Sequence, residues 1–225
     1  IGVETSYEDL RRGLLGKPVS DSQFDNAFEI LKKYGIRSLA NFMNMLPEQP
    51  EDDLYKSLLN CQKWGVDTTS PRNFYPYIGT HLRDYIEEKK MLNTELLNKL
   101  ENENRIQSLE DLSEVLMTFE DTVLLFPKKR KKESTLLMNN FVLLVEIPQW
   151  MHSEVIELLK KELEGDKKAI TVLQELRSMV YQKRFSGKMG EFKTDSKESM
   201  ISVSNNPVTM KKYIKDGKPV RQISN

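Results

Sequence analysis

The stretches "ILKKYGIRS" and "NCQKWGVDT" lie thirty residues apart and end alike. Lys33 matches Lys63, Tyr34 matches Trp64, Gly35 matches Gly65 and Ile36 matches Val66. A glycine just past the last helical turn takes the left-handed backbone that residues with a Cβ avoid, and an apolar residue after it packs back on the helix. The pair therefore predicts two helices closed by one device. A spacing near thirty is also that of helical repeat arrays. The later chain does not continue the period, so the expected fold class is all-α: a multi-helix bundle, or a short helical array.

The flanking segments carry the same grammar. "SYEDLRRGLL" has Ser6 as a candidate cap and acids in its first turn. In "SDSQFDNAFEILKKYG", Ser20 or Ser22 caps, and Phe24, Ala27, Phe28 and Leu31 share a face. "IRSLANFMNMLP" places Leu39, Phe42, Met43 and Leu46 at helical spacing and predicts a helix stopped by Pro47. "EDDLYKSLLNCQKWG" follows with Leu54, Leu58 and Cys61 inward. Beyond it, "THLRDYIEEKKMLNTELLNKLENENRI" reads as one long helix or two, and "SLEDLSEVLMTFEDTVLLF" as another, faced by Leu109, Leu112, Val115, Leu116 and Phe119.

Nine of the twelve residues from Leu136 to Ile147 are apolar. Such a run fits a helix buried on most sides or a pair of short strands. A start at Ser134 and a stop at Pro148 favour the helix. "SEVIELLKKELEG" and "DKKAITVLQELRSMVYQKRF" are amphipathic, with Ser153 and Asp166 as caps. From Ser186 the apolar anchors thin out. Residues 1–185 are therefore expected to form the body, with a candidate subdomain break at 127–134, and residues 186–206 a linker. Residues 207–225 are expected as a basic arm, or a hairpin turning at Asp216-Gly217, where Gly accepts positive φ. Pro219 restricts its second strand to an edge.

Chemistry is sparse. One cysteine, Cys61, excludes a disulfide framework, and with two histidines, His81 and His152, it argues against a structural zinc site. No phosphate-loop, dinucleotide or zinc-protease pattern occurs. His81 and His152 stand without a nucleophile pattern around them. No cofactor, metal or catalytic residue is expected, and an enzyme is the least favoured class. No run of 18 apolar residues suggests a membrane span, and an intracellular, reducing setting is expected.

Charge distribution is the stronger signal. Residues 1–182 carry 24 Lys and Arg against 30 Asp and Glu, a net of −6, whereas residues 183–225 carry 10 against 4, a net of +6. Within the acidic body, "FPKKRKKES" sets Lys128, Lys129, Arg130, Lys131 and Lys132 between two apolar runs. Five adjacent cations are expected as an exposed loop. A Pro followed by a tight Lys/Arg cluster resembles a nuclear-import signal, and the same charges suit phosphate contact. Lys211, Lys212, Lys215, Lys218 and Arg221 give the arm the same options. A third candidate is the loop "DTTSPRNFYPYIG", where Arg72, Phe74, Tyr75 and Tyr77 suit partner binding or base stacking, against the plainer role of core plugs.

These features converge on a non-enzymatic helical protein-interaction module, of a nuclear-assembly or viral structural type. Its basic arm would engage a partner or neighbouring subunit. The alternative is a nucleic-acid-binding helical protein using residues 128–132 and the arm.

Overall fold

The computed structural model describes residues 1–103 and 122–185, together with the dipeptides 214–215 and 218–219. It falls into two units, Ile1–Val145 and Glu146–Asn225, each taken here by itself. The first contains β1 (Gly2–Glu4), α1 (Glu8–Gly13), α2 (Asp21–Lys33), β2 (Leu39–Asn44), α3 (Asp53–Trp64), β3 (Thr68–Asn73), α4 (His81–Glu88), α5 (Thr94–Glu103), α6 (Lys128–Asn139) and the start of α7 (Phe141–Glu146).

The chain is helix-rich, but the all-α expectation needs correction. β1, β2 and β3 form a parallel sheet in that spatial order. β2 occupies the segment expected as a helix over "IRSLANFMNMLP", and β3 the segment expected as a loop. The helical spacing of Leu39, Phe42, Met43 and Leu46 is present, but burial in the folded chain alternates instead. Ala40, Phe42 and Asn44 are buried, while Leu39 before them and Asn41 between them are exposed and Met43 is half-buried. Pairing with a strand on each side satisfies the β2 backbone as well as a helix would, and contacts distant in sequence decide between the two periods.

The matched glycine endings close α2 and α3 as expected. Gly35 and Gly65 take φ of 65° and 63°. Ile36 N donates to Leu31 O at 2.9 Å and Val66 N to Cys61 O at 3.3 Å. Each closure then launches a strand, so the repeated element is helix–glycine–strand and not a helical hairpin. Leu39 pairs with Thr68 and Asn44 with Asn73 across the two copies. Ser20 caps α2 in a reciprocal capping box with Gln23. Ser6 does not cap α1, which Tyr7 precedes; Ser6 bonds to α3 instead.

Helices cover the face of the sheet that carries Ala40, Phe42 and Asn44. Phe28 of α2 stacks on Trp64 of α3 at 4.5 Å, Phe42 meets Phe141 at 6.2 Å, and Ser134 Oγ of α6 donates to Asn44 Oδ1 at 2.7 Å. Burying a side chain the size of Phe28 stabilises by roughly 1.5–3 kcal/mol. A second cluster gathers Leu46, Phe74, Tyr75, Ile86, Leu97, Val123 and Leu124, with Met43 packed on it. Leu92 and Leu124 bridge there, and Asn93 N donates to Val123 O at 2.8 Å.

Two further expectations change here. Lys128 to Lys132 form the opening turns of α6 and not a loop. The apolar run from Leu136 is not one helix: Asn140 turns the chain between α6 and α7, its Nδ2 donating to Leu136 O at 2.9 Å.

In the second unit a 3₁₀ turn (Gln149–Met151) leads into α8 (His152–Leu163) and α9 (Lys167–Phe185). Asp166 caps α9 as expected, its Oδ1 accepting from Lys168 N at 2.8 Å and Ala169 N at 3.1 Å. Ser153 is not the cap of α8, which starts one residue earlier. Val155, Leu159, Leu173 and Val180 are buried, and Arg177 grips Glu162 with two bonds of 2.7 Å. Ile214–Lys215 and Lys218–Pro219 pair antiparallel. The rest of the expected hairpin, the linker and residues 108–121 of the helix expected over 108–126 lie outside the described residues, so a C-terminal hairpin is not shown; residues 122–126 of that expected helix are not helical, and Leu124 instead bridges to Leu92.

Candidate functional site

Polar residues gather first where β1 ends and α3 begins. Asp53 is fully buried, and it accepts from Thr5 Oγ1 at 2.6 Å, from Ser6 N at 2.8 Å and from Gln49 Nε2. Ser6 Oγ meets Ser57 Oγ at 2.8 Å and accepts from Asn60 Nδ2 at 3.0 Å. Arg11, also fully buried, donates to Thr5 O at 2.6 Å, Val19 O at 2.9 Å and Asp21 Oδ1 at 2.6 Å. Every charge in this knot has partners, so its role is to fix the β1–α3 junction. Buried polar groups without partners would cost several times what each bond contributes net.

The sheet itself is less complete. On the face away from the helices, Leu39 and Asn41 are exposed, and Ile1, whose amine donates to Leu39 O at 2.6 Å, is 40% exposed. Ile30, Tyr34 and Ile36 at the end of α2 are exposed as well. Among the described residues neither β1 nor β3 has a second strand neighbour. Beside β3 lies a cleft of roughly 480 Å³ lined by Thr69, Pro71 and Arg72 of β3, Met138 and Asn139 of α6, and Phe141 and Val142 of α7.

The candidate residues separate on this framework. Phe74 and Tyr75 are buried in the second cluster, so they are core plugs. Tyr77, 44% exposed, sets its ring edge-on to Tyr75 at 5.5 Å, next to the exposed Ile78. Arg72 is exposed and lines the cleft. The structure does not bring Arg72, Phe74, Tyr75 and Tyr77 to one surface.

The basic run separates too. Lys128, Lys129 and Lys132 are exposed at the start of α6. Arg130 turns inward, with its guanidinium 4.5 Å over the Phe126 ring and Nη2 donating to Gln49 O. Burial holds its pKa below the usual arginine value. Lys131 is half-buried. Of the arm, Lys211, Lys212 and Arg221 lie outside the described residues, and for Lys215 and Lys218 only the backbone is described.

Other reactive groups are shielded. Burial pushes the Cys61 thiol up to about 12, which keeps it inert at neutral pH. His152 is buried in the second unit and His81 is exposed at the start of α4. Among the described residues no group of three His, Cys, Asp or Glu side chains is placed to hold a metal, and no helix is long and apolar enough to cross a membrane. The cleft is the feature that sequence reading missed. Its only signal was Pro71 inside a segment that turned out to be a strand, since proline in a sheet marks an edge. No family model matches the chain, and none of the curated proteins compared with it matches.

Proposed function

We propose that the chain is a non-enzymatic protein-interaction module that engages a neighbouring copy of itself. The observation that carries this reading is the incomplete parallel sheet. Parallel sheets are almost always covered on both faces, and open edges recruit further strands. Here Ile1, Leu39 and Asn41 are uncovered on one face, next to exposed Ile30, Tyr34 and Ile36. The acidic body, net −6 over residues 1–182, and the basic tail, net +6 over residues 183–225, supply opposite charges for two copies to exchange. The basic arm is assigned to that engagement. Sedimentation velocity over a concentration series tests it. Salt-sensitive association that Leu39→Asp abolishes is expected; a chain that stays monomeric at every concentration in low salt retires the reading.

The second reading is nucleic-acid binding, favoured by one observation on α6. Its first turn holds Lys128 and Lys129 and no acidic residue, and Lys132 follows one turn on. The helix macrodipole is positive at that end, so these cations work against the helix and reinforce one positive field. A polyanion would relieve both. Anisotropy titration with single-stranded RNA and duplex DNA at two salt concentrations tests it, beside a variant with Lys128, Lys129 and Lys132 changed to Ser. Salt-dependent binding lost in the variant is expected; no binding at low salt leaves these lysines as an import address or plain solvated surface.

A further inference from the structure

We infer that the end of α4 and the start of α6 form one binding surface for single-stranded nucleic acid, carried by Lys89, Lys90, Lys128, Lys129 and Lys132. The inference deepens the nucleic-acid reading and rests on it. The two lysine groups lie far apart in sequence, and the fold brings them together. Leu92 bridges to Leu124, and Leu125 N donates to Met91 O at 2.7 Å. The main chain just after Lys90 therefore lies against the main chain that leads into Lys128. A second tie runs through two adjacent loop residues: Tyr85 of α4 donates to the Glu48 carboxylate, and Arg130 of α6 donates to Gln49 O. All five lysines are exposed, and among the described residues none is held in an ion pair.

Lys90 holds its place against its backbone preference. α2, α3 and α8 end in the same pair of main-chain bonds, with Gly35, Gly65 and Gly165 at the left-handed position. α4 repeats that closure, Lys90 N donating to Glu87 O and Met91 N to Ile86 O, both at 3.0 Å, yet a lysine sits there at φ 54°. A side chain is strained at that φ and glycine is not. Such strain persists where the side chain serves a further purpose. Glu87 pairs with Arg83 and Glu51 acts on Arg130, so the acids left on these segments, Glu48, Glu88 and Glu133, are outnumbered by the five lysines. Point charges spread over two elements suit the repeated phosphates of one strand, each ammonium releasing the counterions of one phosphate. Leu125, 57% exposed beside them, offers an apolar contact that only an unstacked base can meet. A lipid surface would need an apolar face, and the exposed positions of α6 are Lys128, Lys129, Lys132, Glu133 and Asn139.

The test uses the full chain and three probes. A labelled oligouridylate and a labelled DNA duplex of the same length are read by anisotropy over a salt series, and phosphatidylserine vesicles by co-sedimentation. Oligouridylate should bind more tightly than the duplex. Lys90→Gly should raise the unfolding midpoint, because it removes the strain, and should weaken oligouridylate binding at the same time. A merely structural role for Lys90 would give the first effect without the second. The salt slope of log Kd should fall by about 0.7 for that lysine, and by about 0.7 again when Lys89→Ser is added. Vesicle retention should be the same with and without these two substitutions. Unchanged affinity and slope in the double variant, with binding lost when Lys128, Lys129 and Lys132 are changed to Ser, sinks this inference and leaves the nucleic-acid reading intact. A preference for the duplex, or vesicle retention that the double variant abolishes, overturns the assignment to single strands. No binding of either nucleic acid at low salt ends both the inference and the reading beneath it.

Discussion

Asn44 Nδ2 donates to Asn73 Oδ1 at 2.8 Å, joining the last residues of β2 and β3 side chain to side chain. Asn44 is 2% exposed, and its carbonyl oxygen also accepts from Ser134 Oγ at 2.7 Å. One amide thus fastens two strands and α6. Asn44→Ala leaves partners of two buried contacts unmatched, and a loss of about 1–3 kcal/mol in urea unfolding is expected. A double-mutant cycle with Asn73→Ala should show coupling of about 0.5–1.5 kcal/mol. Strict additivity would mean that the contact does not hold the strands.

The glycine closures make a controlled comparison. A Cβ on Gly65 would meet only Lys32 Nζ, at 3.9 Å, so space is not the obstacle. The backbone is: φ is 63°. Gly65→Ala should cost about 1–2 kcal/mol. Gly13, at the end of α1, has nothing within 4 Å of a Cβ and no left-handed φ. Gly13→Ala should be neutral or stabilise by up to about 1 kcal/mol. Thermal unfolding of the two variants checks this, and equal effects would refute the conformational argument.

Asp25 should make stability acid-sensitive. Lys63 Nζ and Trp64 Nε1 both donate to its carboxylate at 2.7 Å and hold its pKa below the ordinary 3.8. A depressed carboxylate contributes fully above its unfolded value and loses that contribution as pH falls through its folded value. Asp25→Asn should therefore lower the unfolding midpoint at neutral pH, with the gap closing below about pH 3.8. NMR titration of the Asp25 carboxyl carbon gives the direct reading.

Glu175 has the opposite sign. It is 8% exposed, its Oε2 has no partner, and burial raises its pKa above the usual glutamate value. The folded state then holds the proton more tightly than the unfolded state. Stability falls as pH rises from the ordinary value through the raised one. Glu175→Gln should stabilise the chain at pH 7 by about 1 kcal/mol, and the advantage should vanish in acid. A destabilised variant at pH 7 would reveal a partner for the charge.

The lysines of α6 should behave as an electrostatic burden. Lys128→Glu exchanges an unfavourable charge for a favourable one at the helix start and should stabilise by about 0.3–1 kcal/mol, less in high salt. Unfolding at two ionic strengths is the check, and a salt-independent change would point to packing instead.

Local rules were readable before any fold was known. A serine cap at Ser20 or Ser22, the Asp166 cap and the closures at Gly35 and Gly65 depend on atoms a few residues apart, so they are legible in the sequence, while the choice of Ser20 comes from its box with Gln23. Even the repeat linking Lys33–Ile36 to Lys63–Val66 was visible. What it repeated was not, because the strand after each glycine is stabilised by its neighbours and not by itself.

The chain's order therefore determined which residues are apolar and where α2 and α3 close at their glycines. Tertiary structure decided what the ambiguous segments become. Leu39 to Leu46 reads at helical spacing, and pairing of Leu39–Asn44 with β1 and β3 overrides it and selects the strand. The five cations looked like a loop because mutual repulsion forbids burying them together. A helix resolves that constraint by dividing them, with Arg130 turned onto Phe126 and Lys128, Lys129 and Lys132 left in water. Only the packed molecule sets such a division, since burial is a property of neighbours that meet from far along the chain.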